Sequence, residues 1–225
     1  MVSVMDDDVP PAPATATKRS GARNPRKGTA ERRAEILRAA SATFGAKGYK
    51  NGSLADVAEQ VGITHAGVLH HFGTKEQLLI EVLEYRDLED VRELEGQHIP
   101  DGIELFRHLM RTARMNVDRR GIVQGYTVLT AESVTEDHPA RDWVTHRFAI
   151  LRGEIADAIQ SVAGSAPVER EQAMRAASAI IGVMDGLQVQ WLLDGDVDLS
   201  ESTTFAIEAI LSAVLHPADV AHLEL

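Results

Sequence analysis

The chain has 225 residues, 44% of them hydrophobic and 25% charged, with no cysteine and a formal net charge of -11. These values suit a globular protein of one or two domains and exclude disulfide-stapled folds and thiolate metal sites. No stretch reads as a membrane span or as the apolar core of a secretory signal, so the cytoplasm is the expected location.

The charge is unevenly spread. Between Lys18 and Lys50 ten residues are basic and only Glu31 and Glu35 are acidic, whereas the chain from Thr74 onward sums to -14. A basic front and an acidic back suit a protein that touches DNA with one end.

Residues 1–28 carry Asp6 to Asp8, four prolines and five basic residues with almost nothing to bury, which predicts a disordered basic arm. Such an arm is either a solvated tail or a segment that follows phosphates or enters a minor groove. Thr29 is the expected N-cap of a first helix carrying Ile36, Leu37, Ala40 and Phe44, and Gly45 and Gly48 are expected to stop it. Tyr49 then either packs on the bundle or reaches a phosphate with its hydroxyl.

From Ser53 to Phe72 the sequence spells two short helices joined by a tight turn. Leu54, Val57, Ala58 and Val61 share one face of the first helix. Ser53 with Asp56 forms a capping box, and Gly62 ends the helix. Thr64 can cap the second helix, whose Val68 and Phe72 point inward while His65, Gly67, His70 and His71 face outward or along the edge. A helix with so narrow an apolar stripe and such short outer side chains can lie in a major groove, with its first residues near base edges. Thr74 caps a following helix. Lys75 in its first turn is electrostatically unfavourable there unless an anion is near, and a DNA phosphate would be that anion.

The rest reads as a helical body. Leu78, Leu79, Val82, Leu83, Leu88 and Val91 predict a long helix from Lys75 to about Glu95, followed by a break around Gly96 to Gly102. Helices are expected from Ile103 to about Asp118 and from Val123 to Val134, the latter loosened by Gly121 and Gly125. Another runs from His138-Pro139 to Gly164, and Glu169 to Asp194 is the longest pattern, with Ala173, Ala177, Ile180, Met184, Leu187 and Trp191 forming a packed seam. Gly182 and Gly186 expose backbone on one face, as if another helix comes close. A last helix from Ser200 to about Leu215 ends before Pro217.

Together these predict an all-α protein of about nine helices. The expected divisions are an arm over 1–28, a helix-turn-helix domain over 29–74 with its motif at 53–72, a helical domain over 75–217, and a tail over 218–225.

The run Phe44-Gly45-Ala46-Lys47-Gly48-Tyr49, the two short helices, and His71-Phe72-Gly73-Thr74-Lys75-Glu76-Gln77-Leu78-Leu79 together resemble, over about 50 residues, the DNA-binding domain of the TetR family of transcriptional regulators. Ala66 stands where that family usually has glycine, and Leu69 where it usually has tyrosine. The resemblance implies a repressor that binds a palindromic operator as a homodimer and is released by a small-molecule effector.

Double-stranded DNA would then be met by Ser53, Thr64, Lys75 and Tyr49 at the backbone and by His65, Gly67, His70 and His71 on the exposed helix. It also implies dimerisation through the last two long helices, and an effector pocket among Phe106, Met110, Met115, Tyr126, Trp143, Phe148 and Met184.

Other classes leave weaker traces. Glu95-x-x-His98 is the only Glu-x-x-His in the chain, whereas a di-iron bundle needs two with further carboxylates. No GxSxG, HExxH or GxxxxGK stretch occurs. His70 and His71, being adjacent, diverge by about 100 degrees on a helix and suit no metal. No enzyme, cofactor or metal is therefore expected. A helical enzyme or carrier, or a ligand-independent activator, stands as the alternative.

Overall fold

The computed structural model of the protein describes residues 28–92, 94, 98–164, 166–221 and 223, which contain ten α-helices. The arm expected over 1–28 lies, apart from Gly28, outside the described residues, as do Glu95 and Gly96. The described residues open with α1 (Thr29–Asn51), α2 (Leu54–Val61) and α3 (His65–Phe72), and continue through α4 (Lys75–Val91) and α5 (Gly102–Val117). α6 (Arg120–Glu132), α7 (Arg141–Val162), α8 (Arg170–Leu193), α9 (Leu199–Val214) and a single turn, α10 (Pro217–Val220), complete it.

The punctuation of the front end follows from its residues. Ser53 Oγ accepts from the Asp56 N–H and the Asp56 carboxylate accepts from the Ser53 N–H, both at 3.1 Å, closing the capping box. Thr64 and Thr74 cap α3 and α4 by accepting from Gly67 and Gln77. Gly62 leaves α2 through the left-handed region at φ 69°, which glycine enters without steric cost.

α1 differs from expectation at both ends. Thr29 is already helical and gives no side-chain cap. Gly45 stays helical; only Gly48, at φ 73°, interrupts the helix, which resumes to Asn51.

The reason Gly45 does not stop α1 lies in the body. A Cβ placed on Gly45 would stand 3.0 Å from the backbone of Gly125 in α6, and one on Gly125 would stand 3.0 Å from the Ser41 carbonyl oxygen. The two helices pack nearly backbone to backbone. Far from loosening α6, Gly125 is buried at this crossing.

The core of the front end therefore runs on into the body. Ile36, Phe44, Val57, Val68 and Leu79 belong to the same buried cluster as Tyr126, Leu129 and Val144.

A second cluster joins α5, α7, α8 and α9, with Phe106, Ile155, Ile159, Ile180 and Leu211 at its centre. The α8 seam is as expected on its inner side: Ala173, Ala177, Ile180 and Trp191 are buried, while Met184 and Leu187 are partly so. By length and composition alone α8 is long and apolar enough to cross a membrane, contrary to the expectation that no segment is. The tenth helix was also not expected. Pro217 begins it instead of merely ending α9, because proline suits the first turn of a helix, and His216 caps it at the Ala218 N–H.

Two alanine substitutions separate close packing from helix propensity. Gly125→Ala should cost about 1–3 kcal/mol through overpacking against Ser41. Gly121→Ala, which meets nothing within 4 Å, should be neutral or stabilise by up to about 1 kcal/mol. Denaturant unfolding of both variants tests the pair.

Candidate nucleic-acid interface and body cavity

α3 owes its position to α1 and α4. Arg33 donates to the carbonyl of His71 at the C-terminal end of α3, lies 4.3 Å over the Phe72 ring, and bonds Glu81 of α4. Arg32 donates to the Val61 carbonyl that ends α2. Each cation satisfies carbonyls that a helix end leaves unpaired, at the end where the dipole favours positive charge.

Held this way, α3 exposes Thr64, His65, Ala66 and His70, half-buries Gly67, Leu69 and His71, and buries Val68 and Phe72. Its capped first turn is thus free at the surface. Burial and the neighbouring His70 lower the pKa of His71.

Ser53 is half-buried and committed to its capping box, with Lys47 3.0 Å from the Asp56 carboxylate. Lys75, expected to need a phosphate, has internal partners: its Nζ donates to the Lys50 carbonyl at 3.3 Å, near the end of α1, and sits 4.5 Å from the centre of the Tyr49 ring. Desolvation lowers its pKa, opposed by Glu132.

Tyr49 packs edge-on against Phe44 and His138, and its N–H donates to Glu132 Oε2 at 2.7 Å. Burial raises the pKa of its hydroxyl. The basic block is accordingly less free than its charge suggests, since Arg32, Arg33 and Lys47 are all in ion pairs.

Behind this end lies a cavity of about 530 Å³ between α4, α5, α6, α7 and α8. Tyr126, Trp143 and Met184 line it as expected from sequence. Phe106 and Met110 do not; they are buried in the second core cluster, because their face of α5 turns toward α9. Met115 is partly buried and lines neither this cavity nor its smaller neighbour. Phe148 lines that neighbour, a space of about 440 Å³ that shares Tyr126 and Asp185 with the first.

The polar part of the wall, which includes Arg86, Asp87, Asp90, Arg147, Asp185 and Gln188, was not foreseen as part of a pocket. Arg86 is held by Asp87 and Asp90 at 3.2 and 3.5 Å, with Asp90 also bonding Arg119 at 2.7 Å. Arg147 grips Asp87 through Nε and Nη2 at 2.8 Å and donates to the Tyr126 hydroxyl at 3.0 Å. Both guanidiniums lie near the Tyr126 ring, at 4.1 and 5.1 Å. Among the described residues no cluster of three or more metal-ligating side chains occurs.

Residues 36–82 match the family model described as bacterial regulatory proteins, tetR family. The HTH-type transcriptional repressor AcnR of Corynebacterium jeikeium is 37% identical over 65 residues, 29% of this chain and 34% of that protein. That match spans about a third of the relative's length. The HTH-type transcriptional regulator TtgR of Pseudomonas putida is 29% identical over 184 residues, 75% of this chain and 84% of the relative. Among solved structures, full-length native TylP, a TetR regulator from Streptomyces fradiae, superposes with a TM-score of 0.68 at 23% identity, covering 88% of this chain and 93% of that one. At that identity the likeness is one of fold.

Two measurements test the electrostatics. The hydrogen bond from Lys47, with those from the N–H and side chain of Ser53, holds Asp56 down at about 2. A depressed carboxylate stabilises the fold above its unfolded value of about 3.9, and the contribution disappears as pH falls through about 2. An NMR titration of Lys47→Ala should show the Asp56 midpoint moving up toward the ordinary aspartate range. Asp90→Ala, which leaves Arg86 with Asp87 alone and takes the carboxylate from Arg119, should cost about 1–3 kcal/mol in denaturant unfolding.

Proposed function

We propose that this chain, a TetR-family DNA-binding transcriptional regulator, is a repressor that binds a palindromic operator as a homodimer and leaves it when a small molecule occupies the body cavity. The observation that carries the DNA reading is α3 itself: its capped N-terminal turn projects His65 outward and its last turn exposes His70, while Arg33 and the α1–α4 core fix it from behind. Base contacts fall to His65, His70 and the backbone near Gly67. Phosphate contacts fall to Thr64, Ser53, Tyr49, His71 and Lys75, whose ammonium exchanges the Lys50 carbonyl for a phosphate oxygen.

Association of two copies is supported by the outer faces of α8 and α9. Gly182 and Gly186 meet nothing within 4 Å, and Val189, Leu193 and Phe205 are exposed, Phe205 by 74%. Pairing these faces covers apolar surface that one copy leaves in water. Two recognition helices docked in successive major grooves stand about 34 to 36 Å apart.

Release follows from two helices that span both ends. α4 starts at Lys75 beside the DNA-facing surface and reaches the cavity with Arg86, Asp87 and Asp90. α6 presents Tyr126 to the cavity and Gly125 and Glu132 to α1. A ligand that prefers a different setting of these helices changes the separation of the recognition helices, and DNA affinity falls by that preference.

Selection of bound fragments from random DNA tests the reading. A two-fold symmetric motif with half-sites about one helical turn apart is expected, and the absence of any enriched motif overturns it. Lys75→Ala should weaken binding to all sequences and lower the salt slope by about one unit, whereas His65→Ala should alter sequence preference.

A further inference from the structure

We propose that the effector is a lipophilic amine, an apolar body with a protonated nitrogen that donates hydrogen bonds to Asp185. This rests on the reading of the cavity as an effector site and adds the chemistry of what enters it. The wall has no cation to spare: Arg86 is engaged by Asp87 and Asp90, and Arg147 by Asp87 and the Tyr126 hydroxyl. An anionic ligand would have to displace an aspartate from one of these pairs.

Unpaired polar atoms able to accept a hydrogen bond, by contrast, are in surplus. His108 Nδ1, Thr112 Oγ1, Glu154 Oε2 and Gln188 Oε1 all come from residues on the wall, are buried, and have no hydrogen-bond partner. His108, Thr112 and Gln188 are each at least 95% buried. Burial disfavours the charged form of His108, leaving a neutral imidazole with a free lone pair available. Buried polar atoms left unpaired are costly, and a donor arriving with a ligand removes that cost.

Asp185 is the focus. It stands on the wall shared by both cavities and makes no hydrogen bond or contact ion pair among the described residues. Burial raises its pKa while Arg86 and Arg147 oppose the rise from a distance. A protonated amine beside it supplies both donors and the opposite charge. Leu109, Trp143, Ile150, Leu151, Ile181 and Met184 provide an apolar enclosure for the rest of the molecule.

Calorimetric titration of the full chain with decylamine, decanol and decanoate, each below its aggregation concentration, tests this. Decylamine should bind tighter than the other two by about tenfold or more, the size of one charge-assisted hydrogen bond. In Asp185→Asn the amine should fall to the level of the alcohol while alcohol binding is retained. Tightest binding by decanoate, or by none of the three, overturns the proposal. So does an amine preference that survives Asp185→Asn, which marks attraction to the acidic surface and not to the cavity. A gel shift on the selected operator, run in parallel, separates the two readings. Amine binding without DNA release sinks the effector reading and leaves the cavity chemistry standing.

Discussion

The backbone contact between α1 and α6 is the constraint on which the arrangement depends. Ser41 and Gly45 on one side and Gly125 on the other bring two helices together with almost no side chain between them. Side-chain packing tolerates small shifts by changing rotamers, but a backbone contact has no such freedom. Polar groups flank it, with Gln124 donating to the Gly45 carbonyl at 3.1 Å and the Tyr49 N–H bonded to Glu132. The three helices of the front end, too few to support a core by themselves, thereby share one with the body.

Charge in this protein works locally before it works at a distance. The formal excess of basic residues suggested an open electropositive face. Instead Arg32, Arg33 and Lys75 each donate to a carbonyl in the last turn of a neighbouring helix, so three cations hold three helices in place. The exposed turn of α3 is left with histidines and small residues, side chains short enough to let a helix approach base edges closely. The same principle governs the cavity, where Arg86 and Arg147 are engaged by Asp87 and Asp90 and groups able to accept are left over.

Features that depend on neighbours in sequence were legible from it. The capping box of α2, the Thr74 cap of α4, the left-handed Gly62 and the inward Val68 and Phe72 all follow from spacings of three or four residues. The role of Gly45 did not, since its partner is 80 positions away and glycine in a helical run reads locally as a stop. Phe106 and Met110 were expected on the cavity because large apolar side chains mark core and pocket alike. Only the neighbours of α5 decide which. Of the wall, Arg86 and Asp90 stand four apart on α4, but the pairs Arg119–Asp90 and Arg147–Asp87 cross between helices and leave no fixed spacing in a chain.

Gly48 and Glu132 show what this packing demands of descent and engineering. Gly48 holds a positive φ and lies against the Glu132 carboxylate that also receives the Tyr49 N–H. A side chain at 48 would be strained in its backbone and would dislodge that carboxylate together. The two positions can therefore drift only in concert, although one belongs to the front end and the other to the body. Heads and bodies in this architecture are not freely interchangeable modules: a transplanted head must carry its glycines to a host whose sixth helix offers a matching glycine and glutamate, or the chimera folds with its two halves out of register.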